Sequence, residues 1–274
     1  MINTVANLNK IFGTEKPIIG MLHLLPLPGG PMYDDKGLDK VIARALYDAD
    51  ALVRGGVSAL QVENYSDPSY FVNHAAPETV AAMSIVGNEV RKAFPDLPMG
   101  VCLLADPEAG LAVAHCIKAQ FVRATFFTEA GVDVGGLALR SPHKILRYRK
   151  FLDPSIKIFA DVHIKHSAPL GIRPIEDAAY DAAYFCADAV IVSGKHTGGE
   201  TNMDDVIKVK EALPTFPVFV GSGINASNAK KMLAYADGAI AGTTLKRDGD
   251  TDNEVDYNRV RKFMSVVEQI RKEA

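Results

Sequence analysis

Apolar and polar residues alternate with a period of two between positions 158 and 166. One face of this stretch is entirely apolar, with Ile158, Ala160, Val162 and Ile164. The other face carries three ionisable side chains, those of Asp161, His163 and Lys165. A period of two predicts a strand. Because helices are predicted on both sides of it, we expect a parallel strand whose polar face looks into a barrel or a cleft.

Similar short apolar segments recur along the chain and alternate with helical patterns. The predicted strands are 17–23, 58–64, 98–104, 120–125, 158–166, 188–194, 217–223 and 238–243. The predicted helices cover 38–54, 77–94, 106–119, 141–152, 174–186, 204–213, 227–235 and 255–272. Strict alternation implies parallel strands joined by right-handed crossovers.

Eight strand–helix units in 274 residues predict a single α/β domain over 1–274, a (β/α)₈ TIM barrel. An open doubly wound sheet is the alternative. The barrel is favoured because candidate functional residues follow nearly every predicted strand, and barrel enzymes keep their sites at that end.

Composition narrows the class of protein. Apolar residues make up 48% and charged residues 23% of the chain, which is typical of a soluble globular protein. A net charge of −3 gives no basic field for nucleic acid. The three cysteines match neither a disulfide framework nor a common zinc motif, so we expect a reducing cytoplasm. No signal peptide or transmembrane segment is predicted, which leaves only peripheral contact with a membrane.

Glycine turns end the last two predicted strands. Gly221-Ser222-Gly223 ends the seventh strand, and Gly242-Thr243 ends the eighth, with Lys246 close behind. In barrels these two loops often hold a phosphate, because glycines let backbone N–H groups approach an anion. Plain connecting turns are the alternative. Other residues assigned to the substrate site are His23, Arg123, Ser193 and Gly194.

Proton-transfer chemistry is predicted for Glu63, which ends the second strand, and for the polar face of the fifth strand. Histidine is a common proton-transfer residue, so His163 suits that role. Lys165 suits an electrophile, a Schiff-base amine or a phosphate partner. Asp161 lies deepest and suits orienting or charge-stabilising its neighbours. The alternative is a structural ion pair with Lys165 or Arg123 that fills the barrel interior.

Oxygen and nitrogen ligands of a divalent metal are a further possibility. His23, Glu63, Asp161 and His163 supply the donor types that such an ion takes. For His23 alone, a hydrogen-bonded loop histidine is the alternative. The segment 197–199, Thr-Gly-Gly, is interpreted as a lid, an anion contact or a plain flexible loop. The cofactor remains unassigned from sequence, apart from this possible metal.

Several of these segments resemble the BtpA family, which includes the SgcQ proteins of bacterial sugar operons. The matching segments are 19–29, 55–64, 146–149, 160–166, 221–223 and 237–249. The resemblance implies a sugar-phosphate-binding barrel of the ribulose-phosphate-binding type. The residues themselves suggest a sugar phosphate or a ribosyl compound as the substrate. It also implies an alternative, because the family is named after a role in photosystem I biogenesis at the thylakoid membrane.

Two functions therefore follow from the sequence. The first is an isomerase, lyase or nucleosidase-like enzyme of a small phosphorylated ligand. The second is a non-catalytic assembly factor for a membrane protein complex, and a non-catalytic metabolite sensor is a third possibility. We expect a homo-oligomer, since barrels of this kind often pair.

Overall fold

A computed structural model describes residues 4–67, 70–71, 74–104, 106–139, 142–171 and 173–273. In these ranges eight parallel strands form a closed barrel in the order β1-β11-β10-β9-β7-β4-β3-β2. The barrel strands are β1 Ile18–His23, β2 Ala59–Glu63, β3 Met99–Cys102, β4 Phe121–Ala124, β7 Lys157–Val162, β9 Ala189–Val192, β10 Val218–Val220 and β11 Gly238–Ala241. The predicted TIM barrel is confirmed.

Helices follow each barrel strand and cover the outside of the barrel. They are α2 Asp39–Gly55, α3 Pro77–Ala93, α4 Pro107–Cys116, α5 Pro142–Leu152, α6 Ile175–Tyr184, α7 Met203–Ala212, α8 Ala229–Leu233 and α9 Tyr257–Glu273. Asp106 caps α4, since its carboxylate accepts a hydrogen bond from the Ala109 amide at 3.0 Å. No helix within the described ranges has the length and apolarity needed to cross a bilayer.

Successive residues of each barrel strand face alternately the barrel interior and the surrounding helices. In β7, Ile158, Ala160 and Val162 pack in the large core between strands and helices. Phe159 belongs instead to a separate cluster inside the barrel. The period of two in the sequence therefore assigns the two faces of this strand correctly.

Aromatic rings close the amino-terminal end of the barrel. Phe12, from the helix α1 Val5–Phe12, lies 5.8 to 6.4 Å from the rings of Phe121, Phe159 and Phe219. Gly100 makes room for this layer, because a Cβ there would lie 2.0 Å from the Phe121 ring. The sequence pattern did not predict α1, which fills the end opposite to the strand carboxyl ends.

A small antiparallel sheet lies beyond the fourth and fifth barrel strands. Its strands are β5 Gly131–Asp133, β6 Gly136–Ala138 and β8 Ser167–Pro169. The sequence pattern predicted no strand in 126–140 or in 167–173. Three-residue strands fall below the length at which alternation is recognisable, so the pattern could not reveal this sheet.

Candidate functional site

A cavity of about 250 Å³ opens at the carboxyl ends of the barrel strands. It receives side chains or turns from β1, β2, β4, β7, β10 and β11. Among the predicted site residues, those that line it are His23, Glu63, Arg123, Lys165, Gly221, Ser222, Gly223, Gly242 and Thr243. Residues from most of the barrel therefore meet in one space, as the placement of polar groups at strand ends predicts.

Arg123 and Asp161 form a buried ion pair below the cavity. Arg123 Nε lies 2.7 Å from Asp161 Oδ2, and Nη2 lies 2.8 Å from Oδ1. Ser193 Oγ donates to Asp161 Oδ1 at 3.1 Å. Burial alone would lower the pKa of Arg123, but the carboxylate raises it, so the guanidinium stays charged. Asp161 and Ser193 therefore hold Arg123 and do not themselves line the cavity. For Asp161 this is the ion pair with Arg123 that the sequence offered as an alternative, and the direct roles of both residues stay predictions.

Glu63 and His23 are neighbours across β1 and β2 and end these strands together. His23 Nε2 lies 4.0 Å from Glu63 Oε1. Glu63 Oε2 and His23 Nδ1 are buried and have no hydrogen-bond partner among the described residues. Buried polar atoms are almost always paired, so such atoms at a cavity indicate a place for polar groups of a ligand.

The imidazole of His23 is neutral near pH 7. Burial lowers its pKa well below the ordinary value, and the charges of Lys246, Lys165 and Arg123 lower it further. A neutral imidazole can donate from one nitrogen and accept at the other. His23 is thus suited to orienting or relaying a proton beside Glu63.

Lys165 reaches the cavity from just beyond β7. Within the described part of the chain its amine forms no ion pair, although Arg123, Glu63 and Asp161 act on it electrostatically. Burial lowers the pKa of Lys165, and the charge of Arg123 lowers it further, while Glu63 and Asp161 oppose the change. The neutral, nucleophilic form of the amine is therefore more accessible than in an exposed lysine.

His163 is placed outside the cavity lining. β7 ends at Val162, and His163 adopts a left-handed backbone with φ of 47°. Its ring nitrogen Nε2 lies 3.4 Å from Glu129 Oε1, and its backbone amide donates to Glu129 Oε2 at 2.7 Å. The predicted strand to His166 is therefore too long, and the turn directs His163 toward Glu129 instead of toward Glu63.

The segment 195–200, here named the lid loop, follows β9 and is hydrogen-bonded to the turn after β10. Ser222 Oγ accepts from the Gly194 amide at 2.7 Å and donates to the Gly199 carbonyl at 3.0 Å. Gly223 has φ of 67°, and a Cβ there would lie 2.4 Å from Gly199 O. The Ser222 hydroxyl and the Gly194 amide thus attach the lid loop, and the phosphate-binding role predicted for these two residues stays a prediction.

The lid loop also reaches the turn after β11. A Cβ at Gly198 would lie 3.2 Å from the Thr243 side chain, so the lid loop packs closely against the turn after β11. Thr243 Oγ1 lies 2.7 Å from Thr251 Oγ1. The turns of the last two barrel strands and the lid loop therefore form one continuous wall of the cavity.

Lys246 does not belong to this wall. Its side chain is 0% exposed, and its amine donates to Asp48 Oδ2 at 2.9 Å. Asp48 Oδ1 also accepts from the Val255 amide at 2.7 Å. The expectation that Lys246 supports a phosphate is wrong, because the amine is used to anchor the chain after β11 to α2.

Arg259 is a site residue that the sequence did not reveal. It lies in the first turn of α9, lines the cavity, and its Nε donates to the Thr244 carbonyl at 3.0 Å. Tyr65 was also missed, and its ring packs on His23 with 4.6 Å between centroids. An arginine on an amphipathic helix and a tyrosine in a loop carry no local signal that separates them from ordinary surface residues.

The predicted metal ligands are divided between different places. His23 and Glu63 lie at the cavity, whereas Asp161 binds Arg123 and His163 faces Glu129. Over the described ranges, no three His, Cys, Asp or Glu side chains converge as metal ligands. The four residues therefore do not form the predicted divalent-metal site.

The closed parallel barrel with polar residues at the strand carboxyl ends defines a TIM-barrel protein. The chain belongs to the BtpA family, whose model matches residues 14–269. An uncharacterised protein of Thermococcus kodakarensis is 40% identical over 94% of this chain and 97% of its own length. The photosystem I biogenesis protein BtpA of Synechocystis is 34% identical over 95% of this chain and 91% of its own length.

Solved structures share the fold at low sequence identity. The geranylgeranylglyceryl phosphate synthase of Thermoplasma acidophilum, determined with its substrate sn-glycerol-1-phosphate, superposes with a TM-score of 0.57 at 16% identity. The match covers 99% of this chain and all of that one. At this identity the likeness establishes the barrel alone.

Proposed function

We propose that this protein is an enzyme that binds a small phosphorylated metabolite at the barrel mouth and moves a proton on it. The observation that carries the proposal is the convergence of two kinds of residue on one cavity. Glycine turns from the last two strands form one wall, and the ionisable groups of Glu63, His23 and Lys165 lie in the same space.

The phosphate is assigned to the turns after β10 and β11. Backbone at Gly221, Gly223 and Gly242 lines this wall, and Arg259 supplies a cation at the same wall. A phosphate here would also accept from the Thr243 hydroxyl. The Thermoplasma synthase, which was solved with a glycerol phosphate, supports a phosphorylated ligand for this fold.

Proton transfer is assigned to Glu63, with His23 beside it. The carboxylate has a buried oxygen without a hydrogen-bond partner among the described residues, so it can accept a proton from a bound substrate. The neutral imidazole can take up or hand on that proton. Isomerisation, lyase cleavage and glycosidic hydrolysis all require such a step, and the substrate decides among them.

An assembly role for a membrane protein complex is the competing function, and the name of the Synechocystis relative suggests it. A scaffold has no use for buried polar atoms that lack partners at the barrel mouth. For this reason the enzyme is the better interpretation of the site.

Thermal melting with phosphorylated sugars and nucleotides tests the proposal. A ligand at about 100 times its dissociation constant stabilises the folded protein by about 2.7 kcal/mol, which raises the melting temperature measurably. The increase should be smaller for Thr243→Val and unchanged for the matched surface variant Thr215→Val. If no phosphate compound raises the melting temperature, the binding proposal is wrong and the scaffold becomes the better account.

A further inference from the structure

The amine of Lys165 differs from the other cations near the cavity. Arg123 is paired with Asp161, and Lys246 is paired with Asp48. Arg259 donates to a backbone carbonyl. Within the described ranges the Lys165 amine has no ion pair, although it lines the cavity and is partly buried. Burial and the charge of Arg123 lower the pKa of Lys165, which makes the neutral amine easier to reach than in an exposed lysine.

The backbone on both sides of Lys165 is fixed. The His163 amide donates to Glu129 Oε2 at 2.7 Å. On the other side, the His166 amide donates to the Lys195 carbonyl at 3.4 Å, and the Thr197 amide donates to His166 Nε2 at 3.2 Å. These hydrogen bonds hold the segment 163–166 against the lid loop on one side and against Glu129, just before β5, on the other. A long, flexible side chain is thereby attached at a defined point of the cavity wall.

The charges that act most strongly on Lys165 are those of Arg123, Glu63 and Asp161, the groups at the floor of the cavity. The assigned phosphate wall contains its own cation, Arg259, bonded to Thr244. Lys165 therefore lies where the reacting part of a substrate would meet Glu63. A nucleophilic amine benefits from a lowered pKa, whereas a phosphate partner or a purely electrostatic group does not need one.

We propose that Lys165 is a nucleophile that forms a Schiff base, so that the substrate is a phosphorylated aldehyde or ketone. This inference rests on the proposed function, which it deepens by naming the substrate class. The neutral amine adds to the carbonyl carbon, and the C=O bond becomes a C–O bond to a hydroxyl. Glu63 moves a proton from the nitrogen to the former carbonyl oxygen to give that hydroxyl, and then delivers a second proton, taken up from solvent, so that the hydroxyl leaves as water. The product is an iminium, and no oxidant or reductant is consumed.

An iminium explains why a lysine and a carboxylate share the site. The positive nitrogen withdraws electrons from the adjacent carbon and acidifies its C–H bond. Glu63 can then remove that proton as a general base. Isomerisation of a sugar phosphate proceeds through this step. Carbon–carbon cleavage uses the same iminium but takes its proton from the β-hydroxyl, and glycosidic hydrolysis uses neither.

Borohydride trapping tests the inference. The full-length protein is incubated at neutral pH with glyceraldehyde 3-phosphate, dihydroxyacetone phosphate or unphosphorylated glyceraldehyde, and is then reduced. Hydride converts the iminium to a secondary amine, which peptide mass mapping locates. We expect the adduct on the Lys165 peptide, lost in Lys165→Arg and retained in Lys144→Arg, a matched change of an exposed lysine in α5.

The outcomes separate this inference from phosphate binding. Adducts scattered over lysines and unchanged in Lys165→Arg would overturn it. No adduct with any of the three compounds would also overturn it, even if phosphate compounds still raise the melting temperature. An adduct at Lys165 with glyceraldehyde, together with no melting response to phosphates, would support the nucleophile and reject the phosphate site.

Discussion

The two ends of the barrel interior are built from the same strands and have opposite character. At the amino-terminal end, Phe121 and Phe159 stack with 4.8 Å between ring centroids. Two residues further along the same strands, Arg123 and Asp161 replace them. The closed end is a packed apolar layer, whereas the mouth contains charges and buried atoms without hydrogen-bond partners. Packing at one end thus supports a polar arrangement at the other that is not optimised for stability.

The largest effect is expected for Asp161→Asn, which removes one partner of the buried pair. Among the described residues the guanidinium would keep only Glu63 as a charged partner, whose Oε2 lies 4.0 Å from Arg123 Nη1, and the loss should lower the free energy of unfolding by about 3 kcal/mol. Asp50→Asn, which breaks the exposed Asp50–Arg54 pair, is the matched control and should cost at most about 1 kcal/mol. Urea denaturation measures both, and equal losses would show that the Arg123–Asp161 pair does not support the mouth.

Phe12→Ala tests the closed end. Loss of a buried ring should lower the free energy of unfolding by about 3 kcal/mol, while ligand affinity at the mouth stays unchanged. Phe151→Ala, at an exposed phenylalanine, is the control and should leave stability nearly unaltered. Denaturation and ligand titration of each variant provide the two readouts. A change in affinity would mean that the two ends are not independent.

Arg259→Gln tests the mouth alone. Loss of a charge-assisted hydrogen bond should cost about 1.5 to 3 kcal/mol of binding free energy for a phosphorylated ligand, roughly ten-fold or more in affinity. Arg261→Gln changes an exposed arginine of the same helix and should retain affinity. Isothermal titration compares them. An equal loss in both variants would indicate a general effect of charge on α9 and not a site.

The pH dependence of stability should report His23. Because its pKa in the folded protein is well below 6.5, the unfolded chain binds a proton that the folded protein does not. Stability should therefore fall as the pH drops below about 6.5, by up to about 1.4 kcal/mol per pH unit. His23→Gln should flatten this slope, and His143→Gln, at an exposed histidine, should not. An unchanged slope in the first variant would contradict a buried neutral imidazole.

Periodicity located the barrel and the residues at the strand ends. Strands and amphipathic helices are local patterns, so β1, β2, α2 and α9 agree with their predictions to within about two residues. The meeting of Glu63, His23 and Lys165 followed from one rule, that parallel strands bring their carboxyl ends together.

Pairing preferences and chain turns could not be predicted in the same way. The sequence left the partner of Asp161 open between Arg123 and Lys165, and the three-dimensional arrangement selects Arg123. His163 leaves the strand through a left-handed backbone conformation that no glycine or asparagine announces. Lys246 and Asp48 are 198 positions apart, so their pairing depends on the closed barrel as a whole.

A crystal structure of the protein grown with sn-glycerol-1-phosphate tests the central claim most directly. We expect the phosphate between the turn at 221–223 and the turn at 242–244, within hydrogen-bond distance of Arg259, with the carbon chain extending toward Glu63 and Lys165. A phosphate bound elsewhere, or an unoccupied mouth at saturating ligand, would contradict the claim that this end of the barrel is built to bind a phosphorylated metabolite.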